Sequence, residues 1–232
     1  MKAVLQGAAV AAVLMLLSGC VLSRSVVTLS DATASDIPAD SVAPAGPAVK
    51  IVEVTDQRTF QVDPKAAQTP SLKDDNIDDK SITERAIARK RNGWGQAAGD
   101  VLLPEGDSVA SHLRLAVANG FREAGYCVLS PGDAGYDQAI PVKVEIDKFW
   151  SWLSIGFAAN YPLSEASIKL DAPLPAFAPS PIISTSTRGG GDPLLTDSSW
   201  QSIAEQNLAS VTTKVTALLK ADKTSTQSGS AN

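Results

Sequence analysis

The sequence predicts an α+β domain, a mainly antiparallel sheet with two helices packed on one face, in the order β-α-β-β-β-α. Three observations carry that prediction. Residues 140–147 alternate, with Ile140, Val142, Val144 and Ile146 pointing one way and Lys143, Glu145 and Asp147 the other, as a half-buried strand requires. Residues 108–124 set Val109, Leu113, Ala116, Val117, Gly120, Phe121 and Ala124 on one helical face. Residues 199–220 do the same with Trp200, Ile203, Leu208, Val211, Val215 and Leu218.

The remaining elements follow in order. Residues 49–54 (Val-Lys-Ile-Val-Glu-Val) read as the first strand, ended by Thr55-Asp56-Gln57-Arg58. A long polar segment, residues 61–99, has no clear periodicity and is expected to be mobile or functional. It carries an acidic run (Asp74, Asp75, Asp78, Asp79) and then a basic one (Arg85, Arg89, Lys90, Arg91). The first helix has Asp107 or Ser108 to cap its start and Gly125 for its C′ position. Residues 126–129 form a short strand, with a turn at 130–133. The strand from 140 extends through Phe149-Trp150-Ser151-Trp152, which puts aromatic rings on both sheet faces, and Ile155-Gly156-Phe157 forms a bend. Residues 167–170 and 182–185 are further strands around a proline-rich loop, and glycines 189–191 mark a turn before the last helix.

The ends of the chain define its expected domains. Lys2 precedes an apolar run ending in Leu17-Ser18-Gly19-Cys20, the layout of a secretory signal over residues 1–19. The run is shorter than the roughly 20 apolar residues that span a bilayer. Leu17, Ser18, Gly19 and Cys20 resemble the bacterial lipobox, and that resemblance implies cleavage before Cys20 and acylation of its thiol. Each buried methylene contributes about 0.8 kcal/mol, so several acyl chains on one cysteine anchor a protein stably. Val21 stands where an aspartate would favour the inner membrane in enteric lipoproteins, which points to the outer membrane, facing the periplasm. Residues 20–48, interrupted by Pro38, Pro44 and Pro47, are expected to form a flexible tether, residues 49–221 the folded domain, and residues 222–232 a disordered tail.

Composition narrows the function classes. Removing residues 1–19 takes away Lys2 and leaves 19 basic against 25 acidic side chains, a formal charge of −6. A nucleic-acid partner is therefore not expected. With Cys20 acylated, Cys127 is the one remaining thiol, read as a buried structural residue in a short apolar run. The single histidine, His112, lies in the first helix and reads as a surface or boundary residue; no Gly-x-Ser-x-Gly elbow accompanies it. One thiol and one imidazole cannot build a four-ligand zinc site, the acidic run lacks the spacing of a calcium loop, and no phosphate-binding glycine motif is present. The expectation is a non-enzymatic protein with no cofactor and no metal.

Two clusters are candidate contact patches. Arg85, Arg89, Lys90 and Arg91 with Trp94 could engage anionic head groups or an acidic partner, or form a solvated charged face. Phe149, Trp150, Trp152 and Phe157 could leave rings exposed for a partner, unless helices cover one face and the proline-rich loop the other. Asp56 and Arg58 read as a local ion pair that fixes a loop, with partner contact as the alternative.

The residues Val54-Thr55-Asp56-Gln57-Arg58, Phe121-Arg122-Glu123-Ala124-Gly125-Tyr126 and Val142-Lys143-Val144-Glu145-Ile146 resemble the YajG-type family of bacterial lipoproteins. The segment Arg89-Lys90-Arg91-Asn92-Gly93-Trp94-Gly95 resembles a subset of it. With the lipobox, the likeness covers most of the chain. It implies an outer-membrane-associated periplasmic domain and supplies no catalytic residues. The function expected is a binding or assembly module whose partner is an envelope protein or a lipid. The alternative is an accessory lipoprotein of an envelope transport system, handling lipid or contacting a transporter.

Overall fold

The structure, a computed structural model, describes residues 24–30, 46–74, 76–92, 96–156, 159–192 and 195–229. Leu17, Ser18, Gly19, Cys20, Trp94 and Phe157 lie outside the described residues.

The architecture is α+β, as the hydrophobic patterns predict. Eight strands form one sheet: β1 (Ser25–Val26), β2 (Ala48–Asp56), β3 (Ala86–Arg91), β4 (Ala97–Leu102), β5 (Cys127–Val128), β6 (Ile140–Ile155), β7 (Asn160–Asp171) and β8 (Ile182–Arg188). The helices are α1 (Lys80–Thr83), α2 (Val109–Glu123) and α3 (Asp197–Gly229). β6, β7 and β8 form an antiparallel meander, and β3 and β4 an antiparallel hairpin. β2 runs parallel to β6 and β5, β3 parallel to β6, and β1 parallel to β4, so the sheet is mixed.

β6 is the axis of the sheet. One edge pairs with β7 from Lys143 to Ile155, and the other pairs first with β2, as far as Ile146, and then with β3 at Ser151. The sheet therefore forks between Ile146 and Ser151. At this level the β6–β7 register shifts between Ile146 and Lys148. Such a bulge reverses the inward and outward alternation. Before it, Val142, Val144 and Ile146 enter the core beneath the helices; after it, Phe149 does so, while Trp150 enters a second, smaller core on the outer face. The rings at 149 and 150 do occupy opposite faces, and both are fully buried.

The helices cover one face. Ser108 caps α2 by accepting from Ser111 N at 3.1 Å, and Ser108 N donates back to Ser111 Oγ at 3.2 Å. Gly125, at φ +84°, takes the left-handed position after the helix. Helix α3 crosses α2 closely at Gly120, where an added Cβ would stand 2.6 Å from Val215 Cβ. Leu219, rather than Leu218, completes the buried stripe of α3.

Three segments differ from the sequence prediction. Residues 24–30, expected in the tether, add β1 to the sheet edge and bury Val27 and Leu29, because alternating apolar side chains there find a free strand edge. Helix α3 continues to Gly229, past the expected end at residue 220. Residues 61–99, expected as one irregular insertion, contain α1 and the β3–β4 hairpin. Phe60, Leu72 and Ile82 help build the outer core on Trp150, Ala86 and Leu102. This segment, not the proline-rich loop, covers the outer face; Leu174 and Phe177 of that loop pack into the helix-side core. Cys127 is half-buried rather than buried.

Candidate functional site

The fork of the sheet poses a backbone problem. Where β2 leaves β6 and β3 has not yet joined it, carbonyl groups lack a strand partner, and a buried unpaired carbonyl costs about 1–3 kcal/mol. Arg58 solves this. Its side chain is fully buried, with Nη1 donating to Ala86 O (2.6 Å) and Phe149 O (3.2 Å) and Nη2 to Thr83 O (2.7 Å). Nε donates to both Asp56 carboxylate oxygens (2.9 and 3.1 Å), and Nη2 donates to Asp56 Oδ2 at 2.8 Å. Asp56 also accepts from Arg58 N, so the pair fixes the turn after β2, as the sequence suggested.

Beside this plug lies a cleft of about 630 Å³, lined in part by Glu53, Thr55, Asp56, Phe60, Asp78 and Glu84. Lys80 and Arg58 are the cations on its wall, so its rim is acidic. Among the described residues the adjoining edge of β2 is open: β5 pairs with Ala48 and Val49, and beyond them the Arg114 guanidinium donates to Ile51 O at 2.5 Å.

The basic cluster does not form one surface. Arg85 Nε donates to Leu103 O at 2.9 Å. Lys90 turns toward the helix side and pairs with Asp197 at 2.9 Å. Arg89 and Arg91 sit on the outer face. Arg91 Nη2 donates to Pro64 O at 3.1 Å, and burial together with the Arg89 charge lowers the Arg91 pKa, against a weaker opposing pull from Asp63. Arg89 is only 4% exposed, and its Nε and Nη1 have no hydrogen-bond partner. Its cross-strand neighbour is Asp100, 1% exposed. That carboxylate is held by Arg24 (2.9 and 3.2 Å) and by Lys73 N (2.9 Å).

The aromatic candidates separate in the same way. Phe149 belongs to the helix-side core. Trp150 donates from Nε1 to Ala67 O at 3.2 Å and meets Phe60 edge-on at 5.8 Å between centroids. Trp152 is half-buried beneath Lys148 Nζ, 5.5 Å from the ring centroid. Two of the three described rings are thus structural, because the bulge and the folded-over segment find each a core.

His112, read from the sequence as a surface or boundary residue, is 5% exposed, and its Nε2 lies 2.7 Å from Asp107 Oδ2. Burial raises the Asp107 pKa, but hydrogen bonds from Ser111, His112 and Ser108 N outweigh it and hold the carboxyl below its usual range. Sequence reasoning also missed a polar cluster between α3 and the sheet, where Asn207 meets Thr185 and Ser164, and Ser151 donates to Ser164 at 2.9 Å. Among the described residues, no group of three or more His, Cys, Asp or Glu side chains is arranged to hold a metal. Among them, too, no helix is long and apolar enough to cross a membrane.

No protein family matches the sequence. No curated protein matches it either. Solved structures resemble it weakly. One is a crystal structure of an uncharacterized protein, 10% identical, with a TM-score of 0.39 over 84% of this chain and 97% of that one. Another is protein XCC0632 from Xanthomonas campestris, of the bacterial family DUF330, 13% identical, with a TM-score of 0.41 over 88% of this chain and 97% of that one.

Proposed function

We propose that the chain is a lipid-anchored envelope lipoprotein of YajG type whose folded domain is a non-enzymatic binding or assembly module at the periplasmic face of the outer membrane. The observation that carries this reading is that Arg24, four residues after Cys20, already belongs to the folded domain. Arg24 already bonds Asp100, and Ser25 and Val26 already pair with β4. Four extended residues reach at most about 14 Å, so acyl chains on Cys20 hold the β1 edge close to the bilayer. The domain is on a short leash, not a long one.

The acidic cleft beside Arg58 is the docking position, since it has a rigid floor, a charged rim and the open β2 edge. An extended, cationic segment of a partner protein fits it, adding main-chain bonds along β2 and charge pairing at Glu53, Asp78 and Glu84. The transport-accessory reading drew on exposed aromatic rings. Burial of Phe149 and Trp150 leaves it, among the described rings of that cluster, only Trp152, so the protein-binding reading has more support.

The test is crosslinking in cells from photoreactive side chains at Thr55 and Ala110, in the cleft, and at Thr213, on the exposed side of α3. A discrete partner from the first two positions, absent from the third and lost in Cys20→Ala, is the expected result. Retention of Cys20→Ala in the membrane fraction, or the same products from all three positions, would sink the reading.

A further inference from the structure

The strand directions bring the start of β1 and the end of β6 to the same end of the sheet. β1 runs parallel to β4, β4 antiparallel to β3, and β3 parallel to β6, so β1 runs opposite to β6. Through Val101 and Ala88, Ser25 stands level with Ser151. At about 3.3 Å per residue and about 4.8 Å per strand, Ile155 lies roughly 13 Å beyond that level and roughly 14 Å to the side. Cys20 precedes Ser25 by five residues, a span of at most about 18 Å. Acyl chains on Cys20 can therefore meet a bilayer at the level of Ile155. Ile140, at the other end of β6, is about 50 Å from Ile155 and out of their reach.

The side chains at this end suit a lipid boundary. Ile155 is 60% exposed, on the face that two residues earlier packs Leu153 toward the helix-side core. On the opposite face, at the start of β7, the Tyr161 ring lies under the Arg188 guanidinium, 3.8 Å from ring centroid to Cζ. Glycines leave room for that ring: a Cβ would stand 3.0 Å from it at Gly156 and 2.8 Å at Gly191. An aliphatic side chain beside an aromatic ring that carries a cation is the combination that settles between acyl chains and head groups. Lys90 with Asp197, and Arg24 with Asp100, are already paired there.

We infer that this end of the sheet, at Ile155, Tyr161 and Arg188, rests on the bilayer surface, so that β6 stands up from the membrane. The inference rests on the anchoring of Cys20 proposed above and deepens it. Asp56, at the cleft, is level with Ile146, nine residues before Ile155. The cleft is then held about 30 Å above the head groups, clear of the membrane and open to a periplasmic partner.

The experiment uses the mature acylated chain in vesicles of phosphatidylethanolamine and phosphatidylglycerol. Cys127→Ser removes the thiol that acylation leaves. A nitroxide is then attached at Ile155→Cys, at Asp133→Cys in the turn toward the opposite end, or at Thr213→Cys on α3. Electron paramagnetic resonance reads collisions with oxygen, which concentrates in the bilayer, and with a water-soluble nickel chelate. The oxygen-to-nickel ratio at 155 should exceed the ratios at 133 and 213 several-fold, and Cys20→Ala should bring it down to theirs. Equal ratios at the three positions, or the highest at 133 or 213, overturn the inference. When the N-terminal peptide still carries the mass of its acyl chains, that result leaves the anchoring standing. A chain without acyl mass that stays off the vesicles overturns both, so the two failures are told apart. Should Ile155→Cys not fold, the label moves to Ser154→Cys beside it, and the same outcomes decide.

Discussion

Two arginines are buried in this protein, and they are opposites. Arg58 spends its side chain on one carboxylate and three well-placed carbonyl groups at the fork of the sheet. Arg89, on the neighbouring strand β3, keeps two nitrogen atoms without a partner although it is just as hidden from water. The first arrangement closes a gap that the topology opens: β6 changes partners there, and a five-donor fork reaches carbonyls that no strand can reach. The second closes nothing inside the chain. A buried cation that is satisfied stabilises the architecture, and one that is not carries an uncompensated desolvation cost.

The comparison breaks first at Arg58. Arg58→Ala leaves the Asp56 carboxylate and the carbonyls of Thr83, Ala86 and Phe149 without their donor, and it should cost about 3–5 kcal/mol in denaturant unfolding. A loss under about 1 kcal/mol would mean that water replaces the guanidinium and that the fork needs no plug. Asp100→Ala comes next. It strips Arg24 and Lys73 N of their shared acceptor beside Arg89, for an expected loss of about 2 kcal/mol. Because the Arg24–Asp100 bonds tie β1 to β4, the same variant should free β1, which proteolysis at residues 24–30 would report.

How much of this could be seen in the sequence depends on whether local pattern or tertiary context decided the residue. Val142, Val144 and Ile146 and the stripe of α2 were legible because periodicity alone sets their faces. The pairing of Asp56 with Arg58 was legible because two residues apart at a strand end can reach each other. The bulge near Asp147 was not: nothing local marks it, yet it decides that Phe149 and Trp150 fall into separate cores. Residues 61–79 show no periodicity because they fold over the sheet as an irregular cover, held by such bonds as Trp150 Nε1 to Ala67 O. Arg89 sits in a charge run that resembles a solvated face. Only the cover makes it buried, so the sequence named it as a candidate without showing why it differs from Lys90 beside it.

Acid gives a background against which both arginine variants can be read. The Asp107 carboxyl is held below its usual range, opposed by burial but dominated by bonds from Ser111, His112 and Ser108 N. Glu205 is lowered too, against burial, by Gln201 and Ser30. A depressed carboxylate adds stability that is complete above its unfolded pKa, near 4, and is lost as pH falls through the folded value. Stability should therefore decline below about pH 4, and Asp107→Asn should flatten that slope while lowering stability at neutral pH. An unchanged slope would remove the α2 start from the acid response.

The smallest effect is expected where the burial is deepest in apparent contradiction, at Arg89→Met. Methionine keeps most of the aliphatic stem that lines the outer face and removes the charge and its two idle donors. What is lost in dispersion contacts and what is gained by ending an unpaired desolvation nearly cancel. The expected change lies between zero and a gain of about 1 kcal/mol. Measured beside Arg58→Ala in the same denaturant series, this variant decides whether the contrast is real. Should Arg89→Met lose more than about 2 kcal/mol, the guanidinium must already have its acceptors within the chain, and the two arginines would be doing the same job.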